Sequence, residues 1–227
     1  MSGAEQTETV FLFDVDNTLL DNDRIEADIS AHLQQQFGKA GCDRFWAIFE
    51  ALRAEFGFAD YLGTVQRYRL EALQDPRILG LSSFFLGYPF TERLFPRAAE
   101  TLAHVRKFGR TVILSDGDAV FQPHKIRRAG LWDAVDGRVL IYIHKERTLQ
   151  AVEHHYPAQR YVMVDDKPAI LAAMKRIWGA RLTTVFVHQG HYARASDGMP
   201  SEPRPDIRIE HVAELLNYGC SDFSPAA

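Results

Sequence analysis

Cysteine is scarce in this chain. Cys42 and Cys220 are the only two, and they lie far apart. They make neither a disulfide framework nor a metal-ligand cluster, and their rarity suits a reducing compartment, so a cytoplasmic location is expected. Long hydrophobic runs are missing as well. No uninterrupted apolar stretch approaches the length that spans a bilayer, so no membrane partner is expected. Residues 1–9 carry Glu5 and Glu8 and lack the basic-then-apolar order of a secretory signal. There is no excess of positive charge. Lys and Arg number 26 against 30 Asp and Glu, a net charge of −4, which argues against a nucleic-acid partner. Internal repeats and low-complexity segments are also absent. What remains is ordinary for a globular protein: 46% apolar and 25% charged residues over 227 positions, enough for one large domain or a core with an insertion.

The pattern begins at residues 9–20, Thr-Val-Phe-Leu-Phe-Asp-Val-Asp-Asn-Thr-Leu-Leu. The run Val10 to Phe13 reads as a strand buried on both faces of a parallel sheet. It stops at Asp14, and Asp16, Asn17 and Thr18 follow. Open α/β sheets bind ligands at the carboxyl ends of their strands. Two carboxylates at spacing two would crowd like charges there unless a cation or a proton offsets them. Taken alone, the stretch leaves two readings open, a charged site or an Asp/Asn-rich turn.

The rest of the chain narrows the choice. From Asp21 to about Phe95, apolar residues recur at helical spacing, with Gly38, Gly57, Gly63 and Asp75-Pro76 as punctuation. Three to five helices are expected in this insertion. Phe45, Trp46, Phe49, Phe56 and Phe58 are expected to form its small core, and Arg53, Arg67, Arg69 and Arg77 to be mostly solvated. Asp21, Asn22 and Asp23 suit a turn and N-cap. After Pro96 strands and helices alternate. Strands are expected at 111–114, 139–143, 161–164 and 183–187, with an edge strand at 206–209; helices at 97–108, 121–129, 147–155 and 169–178. Residues 188–205 read as a long loop, in which His188, Gln189 and His191 are rim residues rather than metal ligands. Residues 1–8 read as a flexible leader and 217–227 as a mobile tail. Alternation of this kind implies a doubly wound, mostly parallel sheet.

Polar residues cluster after four strand ends: Asp14/Asp16, Ser115/Asp116, Lys145 and Asp165/Asp166. In a parallel sheet those ends share one edge. Five carboxylates against one ammonium call for a hard divalent cation, and Mg2+ takes a few carboxylates plus water and a substrate phosphate. Such a site suits phosphoryl transfer, with a carboxylate as nucleophile and a second carboxyl group as acid and base.

Phe-Asp-Val-Asp-Asn-Thr-Leu, then Leu-Ser-Asp-Gly, then a lysine, then Val-Met-Val-Asp-Asp resembles the four motifs of the haloacid dehalogenase (HAD) superfamily, in order. The resemblance implies an α/β Rossmann-like core at 1–20 and 96–227 and a smaller all-helical cap at 21–95. It implies Asp14 as nucleophile and metal ligand, and Asp16 as general acid/base with its backbone carbonyl on the metal. Ser115 and the backbone amides at 15, 16 and 116 would bind the phosphoryl group, and Lys145 would neutralise it. Thr18 would support the loop, and Thr18 and Asp116 complete the substrate-binding set. Asp165 and Asp166 would hold Mg2+. Two departures stand out. Lys145 is followed by Glu146 where relatives often have proline, and Lys125 is a rival to it, though one inside a helical pattern. The last motif is Asp165-Asp166-Lys167, with Lys167 read as a solvated helix-start residue.

The expected activity is a Mg2+-dependent phosphatase acting on a small phosphorylated metabolite through phospho-Asp14. A haloacid dehalogenase is the chemical neighbour, but halide leaves without a proton and would give Asp16 no task. A phosphomutase shares the core and differs in how the cap excludes water. A non-catalytic phosphometabolite-binding domain is a further alternative, which the intact set of polar residues opposes.

Overall fold

The computed structural model describes residues 7–198 and 201–223. Six parallel strands form one sheet: β1 (Thr7–Phe13), β2 (Arg110–Asp116), β3 (Val139–Tyr142), β4 (Ala158–Asp165), β5 (Leu182–Val187) and β6 (Ile207–Ile209), in the order β3-β2-β1-β4-β5-β6. All five strand expectations after β1 are met, including the short edge strand. The order reverses direction at β1, so a crevice opens between the ends of β1 and β4, where such sheets bind ligands. Register sets Phe13 beside both Ile113 and Val164. The residues after those positions therefore meet at one edge.

The strand period of two explains the two-layered core. Val10 and Leu12 face one layer with Leu149, Val152, Leu171 and Met174. Phe11 and Phe13 face the other with Leu102, Val105 and Ile126. These partners come from α7 (Leu149–His155) and α8 (Pro168–Trp178) on one side, and from α4 (Ala98–Val105) and α5 (Phe121–Arg128) on the other. A short α6 (Leu131–Ala134) follows α5.

Between β1 and α4 the chain forms α1 (Asn22–Phe56), α2 (Tyr61–Glu71) and α3 (Ile78–Gly87), then a 3-10 turn at Phe90–Arg93. Asp21 caps α1 by accepting from Arg24 N–H at 3.0 Å. Gly38 (φ +71°) breaks α1 into two arms, and Gly57 (φ +81°) ends it in the left-handed region. Gly63, expected as punctuation, lies inside the first turn of α2. Asp60 caps that turn, and its Oδ2 lies 2.0 Å from where a Cβ at position 63 would sit. Phe45 and Phe49 are buried, and aromatic contacts join Trp46, Phe49, Tyr61 and Phe85. Phe56 is exposed. This helical module rests on the sheet edge through Phe121 of α5, whose ring lies 5.4 Å from Tyr61 and 5.9 Å from Phe90.

Three local expectations are corrected. The stretch after β5 contains α9 (Gly190–Ala195) instead of continuous loop; its Met199 and Pro200 lie outside the described residues. The C-terminal segment is docked as far as Phe223. That residue is buried against Phe11, with ring centroids 5.0 Å apart, and its carbonyl accepts from Thr183 Oγ1 at 2.8 Å. Residues 224–227 lie outside the described residues, as do 1–6 of the expected leader, while Thr7 and Glu8 already belong to β1. Among the described residues no helix is long and apolar enough to cross a membrane.

Candidate active site

Asp14 leaves β1 with its N–H still donating to Val164 O at 3.0 Å. Its carboxyl group is buried, and Asp165 and Asp166 at the end of β4 come to it across the crevice. One oxygen from each of the three lies within 4.8 Å of the others. Lys145 reaches them from the far side of β2, in the 3-10 turn Lys145–Arg147 after β3. Its Nζ is 2.5 Å from Asp14 Oδ1 and 2.7 Å from Asp165 Oδ2. Its own N–H donates to Asp116 Oδ1 at 2.7 Å. The strand-end argument for Lys145 over Lys125 is thus matched by its contact with Asp14.

Asp16 points elsewhere. Its Oδ1 pairs with Lys125 Nζ at 2.5 Å and its Oδ2 accepts from Gln122 Nε2 at 3.1 Å. Its side chain stands outside the trio, which leaves only its backbone carbonyl to serve a cation held there. Gln122 also donates to Ser115 Oγ at 2.9 Å. Asn17 turns the loop in the left-handed region (φ +61°), and its side-chain oxygen accepts from the N–H groups of Asn22 and Asp23 at the start of α1. Thr18 corrects its assignment to the substrate-binding set. It is wholly buried beneath the loop and its carbonyl accepts from Gln189 Nε2 at 3.3 Å, so it supports the loop and does not face the cleft.

Lys167 is a second correction. It is not a solvated helix-start residue. Its Nζ lies 4.6 Å from the centre of the Tyr192 ring, and its side chain lines the cleft. Tyr192 sits on α9 and accepts a hydrogen bond from Arg53 of α1. Arg53, grouped with the solvated arginines, therefore belongs to the cleft wall, as do Glu26 and Tyr61. Nothing in local periodicity marks these residues, since their partners are remote in the chain. The cleft between module and sheet edge encloses about 140 Å³. A larger groove of about 920 Å³ opens beyond Gly117 and Phe58, which line both cavities; the buried carboxylate trio lines neither.

The electrostatics follow from burial. Burial pushes Asp14 up; Lys145 offsets part of this and Asp165 adds to it. Burial, with Asp165 and Asp14 beside it, raises Asp166 to about 9. Burial disfavours the charge of Lys145, but Asp14 and Asp165 outweigh it and hold the ammonium charged. Asp16 moves the other way. Burial would raise it, yet the charge of Lys125 and the hydrogen bonds from Lys125 and Gln122 bring it below the usual range. Asp14 Oδ2 and both oxygens of Asp166 are buried and accept no hydrogen bond. Buried carboxylate oxygens without donors are costly. An all-oxygen set of this kind fits a hard divalent cation.

A family model described as haloacid dehalogenase-like hydrolase matches residues 9–177. The chain belongs to the haloacid dehalogenase-like hydrolase family. The hydrolase is similar to a crystal structure from Burkholderia xenovorans LB400 described as a haloacid dehalogenase-like hydrolase, with 56% identity, 95% of this chain and 98% of that one covered, and a TM-score of 0.88. It shares its fold with the L-2-haloacid dehalogenase of Xanthobacter autotrophicus with chloropropionic acid covalently bound (18% identity, 92% and 97% covered, TM-score 0.61). The same holds for a HAD-hydrolase of Bacillus subtilis bound to magnesium (17% identity, 94% and 98% covered, TM-score 0.60). No curated protein matches the chain. The six-stranded parallel sheet and the family agree with the fold read from the strand ends.

Proposed function

We propose that this hydrolase is a Mg2+-dependent phosphatase that cleaves a small phosphomonoester through a phospho-aspartyl group on Asp14. The observation that carries the reading is Asp16, a carboxyl group beside Ser115 at the cleft, two residues from the nucleophile and outside the carboxylate trio. Breaking an ester requires a proton on the leaving oxygen, and releasing phosphate requires a base for water. Displacing a halide requires no proton on the leaving group, so the dehalogenase reading gives Asp16 no task as an acid.

In the first step a carboxylate oxygen of Asp14 bonds to phosphorus as the ester P–O bond breaks, and the leaving oxygen takes a proton from the Asp16 carboxyl group, which must enter this step protonated against the pull of Lys125 and Gln122. In the second, water attacks the phosphorus, gives its proton to Asp16, and the bond to Asp14 breaks to release phosphate. Lys145 holds Asp14 in place and neutralises the phosphoryl oxygens, and Ser115 Oγ and the loop amides bind them. Asp14, Asp165, Asp166 and the Asp16 carbonyl would hold Mg2+, which supplies positive charge for the phosphoryl group and relieves the crowded carboxylates. The cleft beside Asp16 encloses about 140 Å³, which suits a small leaving group.

The test is hydrolysis of p-nitrophenyl phosphate with Mg2+ and with EDTA. Turnover should require the metal and vanish in Asp14→Asn. Asp16→Asn should slow turnover by about 10²–10⁴-fold while phosphate binding persists. Metal-independent chloride release from a 2-haloacid, without phosphatase turnover, would replace this reading with the dehalogenase.

A further inference from the structure

Lys125 is a nearly inaccessible ammonium, 2% exposed, on the inner face of α5. Burying such a group is costly unless it is paired. Among the described residues, Asp16 is the one acid within ion-pair distance of it, at 2.5 Å. Gln122, one helical turn earlier and 4% exposed, holds the other oxygen of Asp16 at 3.1 Å and Ser115 Oγ at 2.9 Å. Residues three apart on a helix share a face, so a single surface of α5 grips both oxygens of the carboxylate. That helix is itself fixed. Asp118 Oδ1 accepts from Val120 N–H at 2.8 Å and Phe121 N–H at 2.6 Å at its start, and the Phe121 ring packs into the helical module.

We infer that Lys125 and Gln122 are positioning residues that aim the Asp16 carboxyl group at the leaving oxygen and link its orientation to Ser115. The inference rests on the phosphatase reading above. Lys125 does not neutralise Asp14; Lys145 does that. With both oxygens held, Asp16 cannot turn toward the carboxylate trio, where it would compete for the cation instead of moving a proton. An error of about 1 Å in such a group costs on the order of 10²-fold in rate.

The test is a double-mutant cycle on p-nitrophenyl phosphate hydrolysis with Mg2+, with Lys125→Met, Asp16→Asn and the pair. Lys125→Met should lower kcat by about 10–100-fold with KM changed less than about threefold. In the Asp16→Asn background the same change should cost less than about threefold, because its target is gone. Gln122→Leu, a milder perturbation, should repeat the pattern at smaller size and covers the case in which Lys125→Met folds poorly. Full additivity with Asp16→Asn, or a rise in KM at unchanged kcat, overturns the inference. The latter result would make Lys125 a substrate contact. An unaltered kcat in folded Lys125→Met overturns it too. A wild-type protein without metal-dependent turnover removes the phosphatase reading and this inference with it.

Discussion

Replacing Lys145 with Met keeps most of the side chain's volume and removes its charge from between Asp14 and Asp165. Of the ammonium groups acting on the trio, Lys167 then remains. A further buried carboxyl group must take up a proton at neutral pH. Raising a carboxyl pKa from about 4 to 7 costs about 4 kcal/mol at 1.36 kcal/mol per unit. That agrees with the roughly 3–5 kcal/mol lost when one partner of a buried pair is removed. For a chain of this size each kcal/mol shifts Tm by about 2–4 °C, so the variant should melt about 8–16 °C lower at pH 7 in EDTA. The sign with pH is definite. A carboxyl group whose folded pKa lies above its unfolded value makes the native state bind extra protons, so stability falls as pH rises between the two values. At pH 5 the gap is only about one unit, and the deficit should shrink to about 1.5 kcal/mol. Circular-dichroism melts at pH 5 and 7 in EDTA measure both numbers. Equal deficits at the two pH values, or none at pH 7, would show that Lys145 is not the counter-charge of this cluster.

Two other outcomes follow from the same geometry. Asp166 keeps its proton up to about 9, so Mg2+ must displace it, and apparent Mg2+ affinity should climb with pH between 6 and 9, by up to about tenfold per unit. Calorimetric titration at three pH values would refute this with a flat profile. Gly190→Ala should destabilise the protein by about 1–3 kcal/mol and depress activity, because φ is +72° there and a Cβ would lie 2.4 Å from Asn17 Cγ, on the loop that carries Asp14 and Asp16. Urea unfolding alongside the phosphatase assay checks it, and unchanged stability would mean that this contact is not tight.

Residue order was enough for the sheet and for the family. Runs such as Val10 to Phe13 and Tyr161 to Val164 are apolar at every position because both faces of the sheet are covered. The polar residues that interrupt them mark strand ends. Parallel pairing then brings Asp14, Ser115, Lys145 and Asp165/Asp166 to one edge, whatever the details of packing. The rest depended on contacts between distant parts of the chain. Lys125 meets Asp16 across 109 positions, and Arg53 meets Tyr192 across 139. Which face of α5 turns inward is set by how the helix lies on the sheet and under the helical module. Periodicity within α5 does not contain that information, and so Lys125 looked like a weak rival to Lys145. Lys167 looked solvated for the same reason, since its cover, Tyr192, comes from a helix inside a stretch whose composition reads as loop. The docked tail is similar: Phe223 finds a place against Phe11 only once the sheet exists. Family membership lies in short local spacings that survive in one dimension. The grip of Lys125 and Gln122 on Asp16 and the walls of the cleft belong to side chains brought together by folding.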